Sequence, residues 1–191
     1  MISTFSALFD SNVLYGARIR SLLMEFAMSG LFRARWSADI NREWIAAVHA
    51  KTGIELDRLQ NVADCMERAV PDAIGSGYEV LIPGLTLPDP KDRHVLAAAI
   101  RCGASVIVTF NDEDFPRETL EVLGISTRHP DDFILDIEDI SPGTLIEAAR
   151  ADIDHYVNPK LTVEEYVSDL AAAGVPKTAA RLTRLRDFLR R

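Results

Sequence analysis

Acidic residues stand at both ends of an apolar, alanine-rich segment that runs from Asp89 to Phe115. Asp89 and Asp92 open this segment and Asp112 and Asp114 close it, whereas its middle contains no acid. Such carboxylates either cap a buried helix–strand unit and keep it soluble, or come together through the path of the chain to bind a metal ion.

The elements predicted within this segment bring its two ends together. Asp89 suits a helix N-cap, and a helix over Asp92–Arg101 advances roughly 15 Å at ~1.5 Å per residue. A β-branched strand over residues 105–110 returns roughly 20 Å at ~3.3 Å per residue. Asp92 is therefore expected beside the loop of residues 111–114. Asp10 follows a strand-like run of its own, and the carboxyl ends of parallel strands share one edge, so Asp10 is expected there too.

Glu43 supplies a further carboxylate. It lies three residues after Ile40 and four before Ala47, on the apolar stripe of a helix that Ser37 is expected to cap. An unpaired charge that faces a core is costly, so Glu43 needs either an arginine partner or a metal ion.

Carboxylates grouped in this way suit a hard cation such as Mg²⁺ or Mn²⁺, which prefers oxygen ligands. They would also repel one another unless a cation lay between them. The chemistry that such a group indicates is metal-assisted hydrolysis of a phosphodiester.

The elements that must position these acids alternate along the chain. Strand-like runs over residues 5–9, 78–82, 105–110 and 125–128 are separated by helical patterns, which predicts an α/β fold with a parallel sheet. The helical patterns cover residues 13–28, 37–53, 56–69 and 89–103, and another begins at Pro130.

After Pro142 the chain has helical patterns only, over residues 145–156, 163–173 and 176–190. The sequence therefore predicts one domain over residues 1–139 and a helical C-terminal extension over residues 140–191. An apolar stripe at Leu182, Leu185 and Leu189 predicts that this extension packs on the core, because a lone helix cannot bury such a stripe.

Composition narrows the class of protein. The chain has 191 residues, of which 48% are hydrophobic and 26% charged, as in a globular protein with a full core. Apolar runs stay shorter than the ~20 residues of a membrane helix, and the N-terminus lacks the pattern of a signal peptide. The two cysteines lie far apart. We therefore expect a reduced, cytoplasmic protein without membrane association.

The net charge of −8 argues against a nucleic-acid binder, but the basic residues are clustered. One cluster near the start consists of Arg18, Arg20, Arg33, Arg35 and Arg42. Another near the end consists of Lys177, Arg181, Arg184, Arg186, Arg190 and Arg191. Such faces either hold a phosphate backbone or are ordinary solvated helix surfaces.

Several motifs together resemble the PIN-domain ribonucleases, and most nearly the VapC-type toxins of bacterial toxin–antitoxin pairs. They are FDSN at residues 9–12, Glu43 in its helix, DRHVLAAA at residues 92–99 and TFNDEDF at residues 109–115. The resemblance covers roughly residues 5–135. It implies a three-layer fold in which helices flank a central parallel sheet of four to five short strands.

The resemblance also implies the site and its chemistry. Its acidic quartet is Asp10, Glu43, Asp92 and Asp114, with Asn12 and Asn111 as supporting polar groups and Asp112 as a competitor for the fourth position. The implied activity is that of an RNA endonuclease that depends on Mg²⁺ or Mn²⁺ and is held inactive by an antitoxin protein. A homodimer is a further expectation from the residues, since the apolar stripe at Leu182, Leu185 and Leu189 can pack on a second subunit instead of on the domain.

The sequence also contains candidate RNA-binding arginines and allows an alternative function. Arg33, Arg35 and Arg93 are expected to bind the RNA backbone, the first two because they precede the Glu43 helix and are expected near the same edge. The alternative function is a non-cleaving PIN-like scaffold that binds RNA or protein, against which the full set of carboxylates argues. A dehalogenase-like phosphatase is disfavoured because it needs a second aspartate where this chain has Asn12.

Overall fold

The computed structural model describes residues 5–189 and divides into two compact units. The sheet unit contains the chain up to Tyr15 and residues Phe32–His129, and the helical unit contains Gly16–Leu31 and the chain from Pro130 onwards. The helical unit thus resumes ten residues before the predicted extension and includes an early helix. The predicted packing of the extension on the core stays a prediction.

Five parallel strands form the sheet, in the order β3-β2-β1-β4-β5. Their bounds are β1 Ser6–Phe9, β2 Arg33–Ser37, β3 Ile74–Gly75, β4 Val106–Val108 and β5 Ser126–Arg128. The central pairing aligns Leu8 with Arg35 on one side and with Ile107 on the other. All four residues of β1 are buried, which explains its apolar sequence. The predicted α/β fold with a parallel sheet is confirmed.

Helices of the sheet unit flank this sheet. They are α1 Ser11–Tyr15, α3 Ala38–Thr52, α4 Leu56–Ala69, α5 Arg93–Cys102 and α6 Arg117–Glu121, with 3-10 helices over Glu79–Gly84, Pro90–Asp92 and Asp112–Asp114. Ser37 caps α3 as predicted, since its hydroxyl accepts from the Ile40 N–H at 3.2 Å. Asp89 likewise accepts from the Lys91 N–H at 2.8 Å and starts the turn that leads into α5.

The remaining helices form the helical unit. They are α2 Ala17–Met28, α7 Pro130–Ile140, α8 Thr144–Asp154, α9 Val163–Ala172, α10 Pro176–Arg184 and α11 Arg186–Leu189. Helix α2 packs on α8 and α9, and α10 packs on α7 and α9. Leu182 and Leu189 of the predicted apolar stripe are buried. Arg190 and Arg191, which belong to the predicted basic cluster, lie outside the described residues.

Buried polar groups tie these helices together. Asp152 accepts a hydrogen bond from the Tyr166 hydroxyl at 2.8 Å and another from Ser21 on α2. Asp131 is buried on α7 and accepts from the N–H groups of Lys177 and Thr178 at 2.8 and 2.7 Å. It therefore caps α10 from a distant part of the sequence.

Two predicted elements were wrong. The helix expected over residues 13–28 is broken at Gly16, whose extended backbone separates α1 from α2 and lets them enter different units. The strand expected over residues 78–82 is a 3-10 helix in which Val80 is 82% exposed, and Ile74–Gly75 takes the place beside β2 instead. An apolar run without a strand to pair with gains nothing from an extended conformation.

Strand β2 was not predicted because it is short and contains two arginines, so its alternation of buried and exposed residues is not evident from the sequence. Ala34 and Trp36 are buried, whereas Arg33 is exposed. The last predicted helix also divides, at Leu185. Among residues 5–189, every helix is too short or too polar to cross a membrane.

Candidate active site at the carboxyl edge of the sheet

Asp10 occupies the centre of this edge, directly after β1. Its N–H donates to the Val108 carbonyl at 3.1 Å, and its own carbonyl accepts from Val13 and Leu14 to begin α1. The side chain is buried, with 4% of the residue exposed. Its carboxylate accepts from the Ser11 N–H at 2.6 Å, as well as from two side chains, and is therefore held in one orientation.

Those two side chains are Asn12 and Thr109, which join the ends of β1 and β4. The Thr109 hydroxyl donates to Asp10 Oδ2 at 2.8 Å and accepts from Asn12 Nδ2 at 2.9 Å and from the Asn111 N–H at 3.0 Å. Asn12 also donates to Asp10 Oδ2 at 2.8 Å and accepts from the Phe110 N–H at 3.1 Å. All three bonding positions of the hydroxyl are thus used.

Thr109 was missed by the sequence reasoning, although it is the first residue of the TFNDEDF motif and is fully buried. Its position at the end of a β-branched run was the available signal. Asn12 lies where a supporting group was expected. Asn111 is exposed and reaches the network through its backbone N–H.

Asp92 joins the other carboxylates from the turn that precedes α5. Burial, and then the charges of the neighbouring acids, together raise its pKa from 3.8 to about 6; those acids are Asp10, Asp114, Asp89 and Glu43. A like charge has this effect only at short range, so these acids share one region. Asp92 therefore lies near Asp114 in the loop after β4, as the predicted path of the chain requires.

Asp114 and Asp112 differ in their surroundings. Asp114 is half-buried and acts on the pKa of Asp92, whereas Asp112 is exposed. Asp114 thus has the better position of the two. Burial also raises the pKa of Asp10, against the effect of its hydrogen bonds from Thr109 and Ser11.

Glu43 does not face the core, so that expectation was wrong. Its side chain is 42% exposed, and its Oε1 lies 2.8 Å from Nε2 of His94. The core of α3 is filled instead by Ile40, Trp44 and Val48. The carboxylate does lie at the predicted edge, since its charge raises the pKa values of Asp10 and Asp92. Its partner is a histidine rather than an arginine.

His94 is a site residue that the predicted set lacked. Its side chain is only 11% exposed, and within residues 5–189 its buried Nδ1 has no hydrogen-bond partner. Burial lowers its pKa, but the bond to Glu43 and the charges of Glu43, Asp39 and Asp10 outweigh this, so the pKa is raised. The signal in the sequence was its place two residues after Asp92.

The three arginines expected to bind RNA lie in different places. Arg33 starts β2 and is exposed at the amino edge, so its expected position beside the acids was wrong. Arg35 donates to the Asp72 carbonyl, and its charge acts on the Cys102 thiol at the far end of α5. Arg93 is half-buried in the first turn of α5, beside Asp92. Their role in RNA binding stays a prediction.

The side chains at this edge have the donor atoms that a divalent ion prefers, but their present positions do not form a ready binding site. Asp10, Asp92 and Asp114 offer the anionic oxygen donors that Mg²⁺ and Mn²⁺ prefer, and the raised pKa of Asp92 is what a cation would reverse. Within residues 5–189, however, no three acidic, histidine or cysteine side chains are grouped so as to hold an ion as they stand. Binding of an ion at this edge would therefore require side-chain adjustment.

Comparison with known proteins identifies one matching family and one similar protein. Residues 130–184 match the family described as VapC50 C-terminal domain, beginning at the residue where the helical unit resumes. A stretch of 113 residues is 39% identical to "Putative ribonuclease VapC50" of Mycobacterium tuberculosis. It covers 59% of this chain and 66%, just under two thirds, of that relative. No solved structure matches the chain significantly. The chain is therefore similar to a VapC-type protein over part of its length, and its residues 130–184 match a domain described for such proteins.

Proposed function

We propose that this protein is a metal-dependent endoribonuclease and the toxin component of a type II toxin–antitoxin pair. The observation that carries the proposal is the convergence of Asp10, Glu43, Asp92 and Asp114 at one edge of the sheet, from four separate parts of the sequence. Carboxylates this close repel one another, and this repulsion destabilises the fold. Its presence therefore indicates that the acids serve a function. The name of the Mycobacterium tuberculosis relative supports RNA as the substrate.

These four carboxylates would hold one or two Mg²⁺ or Mn²⁺ ions. When bound, such an ion lowers the pKa of an attacking water and stabilises negative charge on the phosphate. Asp10 contributes the most rigid donor, because Ser11, Asn12 and Thr109 fix its carboxylate. Asp92 contributes charge from the turn before α5, and Asp114 contributes charge from the turn after β4.

The products follow from the side chains at this edge. Attack by the 2′-hydroxyl of RNA usually relies on a pair of general acid and base groups such as two histidines. In the described part of the chain, His94 is the histidine that contacts this acidic set, and it is bound to Glu43. We therefore propose hydrolysis by water, which leaves a 5′-phosphate and a 3′-hydroxyl.

Cleavage of RNA by the purified protein tests the proposal. We expect EDTA to stop cleavage and Mg²⁺ or Mn²⁺ to restore it. Asp92→Asn keeps the shape of the side chain but removes a charge, so we expect it to abolish cleavage while RNA still binds. Asp112→Asn is the matched control, because this exposed aspartate follows β4 in the same turn as Asp114, and we expect it to cleave normally.

Two results would refute the proposal. One is cleavage by a folded Asp92→Asn variant at the parental rate, and the other is EDTA-resistant cleavage that leaves 2′,3′-cyclic phosphate ends. Metal-loaded protein that binds RNA without cutting it would instead favour the non-cleaving scaffold. Co-purification with the product of a neighbouring small gene, with loss of cleavage, tests the antitoxin partner.

A further inference from the structure

We infer that His94 is a positioning residue that holds Glu43 in the orientation in which it binds the divalent ion. The inference rests on the proposed function, because it assigns a role to one of the proposed ligands. It adds a residue outside the acidic quartet and gives that residue a measurable effect on the affinity for metal.

The two side chains differ in how firmly each is held. Glu43 is 42% exposed on α3, where an unrestrained glutamate samples several rotamers. His94 is 11% exposed and sits in the first turn of α5, so the neighbouring structure fixes its ring. A hydrogen bond of 2.8 Å between His94 Nε2 and Glu43 Oε1 transfers this order to the carboxylate.

The pairing is selective because the other acids near His94 already have partners. Asp39 lies one helical turn before Glu43 on α3, but it accepts from the Tyr78 hydroxyl at 2.8 Å and pairs with Arg42 at 2.6 Å. Asp10 accepts its three hydrogen bonds from its own network. Glu43 is therefore the acid that His94 contacts directly.

The bond leaves Glu43 able to bind a cation. Nε2 contacts Oε1, so Oε2 keeps its lone pairs. A neutral ring with its proton on Nε2 can donate this bond, and so can a charged ring, so the contact exists in either protonation state. Outer groups that orient metal ligands in this way commonly change the affinity for metal roughly 10- to 100-fold when they are removed.

The opposite role would be a latch, in which His94 withholds Glu43 from the metal. The two roles predict effects of opposite sign. A positioning residue raises the affinity for the ion, so its loss weakens binding, whereas the loss of a latch strengthens binding. Cleavage alone does not separate them, so the test measures binding of the metal itself.

The experiment is calorimetric titration of the full chain with Mn²⁺. His94→Phe keeps the buried ring but removes the donor, and we expect it to lower the affinity roughly tenfold, at the low end of the range for such groups. His94→Gln places an N–H near the same position, and we expect it to recover most of that loss. We expect Glu43→Gln to weaken binding and His94→Phe to add nothing in the Glu43→Gln background, since His94 acts through Glu43.

His49→Ala is the matched control, because His49 is an exposed histidine on α3 whose ring contacts the Ile54 carbonyl. We expect it to bind Mn²⁺ normally. Unchanged or tighter binding by His94→Phe, with weak binding by Glu43→Gln, overturns the inference and leaves the proposed function intact. Unchanged binding by both variants shows that Glu43 is not a ligand, which overturns the inference and the proposed quartet together.

Discussion

Replacing Asp92 with asparagine should stabilise the metal-free protein at neutral pH while it abolishes cleavage. Asp92 is half-buried, and Asp10, Asp114, Asp89 and Glu43 add to the cost of its charge. Asparagine has nearly the same shape and no charge. The variant therefore removes a repulsion that the metal-free fold tolerates only for the sake of its site.

The direction of the pKa shift sets the pH range of this effect. The pKa of Asp92 rises from 3.8 to about 6 in the folded protein, so the wild type loses stability from this group as the pH rises through that interval. At ~1.4 kcal/mol per pKa unit the full shift corresponds to roughly 3 kcal/mol. Solvent screens a half-exposed group, and this reduces the expected gain in the free energy of unfolding to about 1 kcal/mol.

Urea unfolding in EDTA at pH 4 and pH 7.5 measures this difference. We expect the two proteins to have similar stability at pH 4, where Asp92 is protonated, and the variant to be the more stable at pH 7.5. Mg²⁺ should then stabilise the wild type more than the variant, because a ligand that binds the folded state stabilises it. Asp112→Asn serves as the control. A variant less stable than the wild type at pH 7.5, or a difference that does not depend on pH, would refute the reasoning.

Two further predictions follow from the network and from the helical unit. Thr109→Val keeps the buried shape but leaves Asp10, Asn12 and the Asn111 N–H each one hydrogen bond short, so we expect a loss of about 1–3 kcal/mol in the free energy of unfolding and slower cleavage; unchanged urea unfolding would contradict it. Removal of residues 141–191 takes away α8 and α9, on which α2 packs, so we expect the shortened protein to bind the dye ANS or to aggregate. A shortened protein with the parental melting temperature and solubility would contradict that view.

The acidic edge could be predicted because it depends on chain direction more than on detail. A helix that runs back along the sheet and a strand that returns must place Asp92 beside the loop after β4, whatever side chains pack between them. The same reasoning placed Asp10 at the end of β1. Caps such as Ser37 and Asp89 were also predictable, since they act on N–H groups two or three residues away.

The partners of the site residues could not be predicted in this way. Glu43 meets His94 across 51 positions of sequence, and Thr109 meets Asp10 across 99. The helical spacing of Glu43 suggested a core position, but the packing of α3 leaves its side chain at the surface. The location of Arg33 could not be predicted either, because Arg33 begins β2 and that strand was not recognised in the sequence.

The sequence by itself determined the α/β class and the edge at which the acids meet, because hydrophobic periodicity and chain direction are local properties. It did not determine where β2 and β3 lie. Only the tertiary structure decided that α2 joins the C-terminal helices, through contacts such as the pair between Arg18 and Asp169 at 2.8 Å. It also decided that the partner of the exposed Glu43 is His94. Contacts of this kind depend on which distant surfaces fit together, and the spacing of residues along the chain carries no information about that fit.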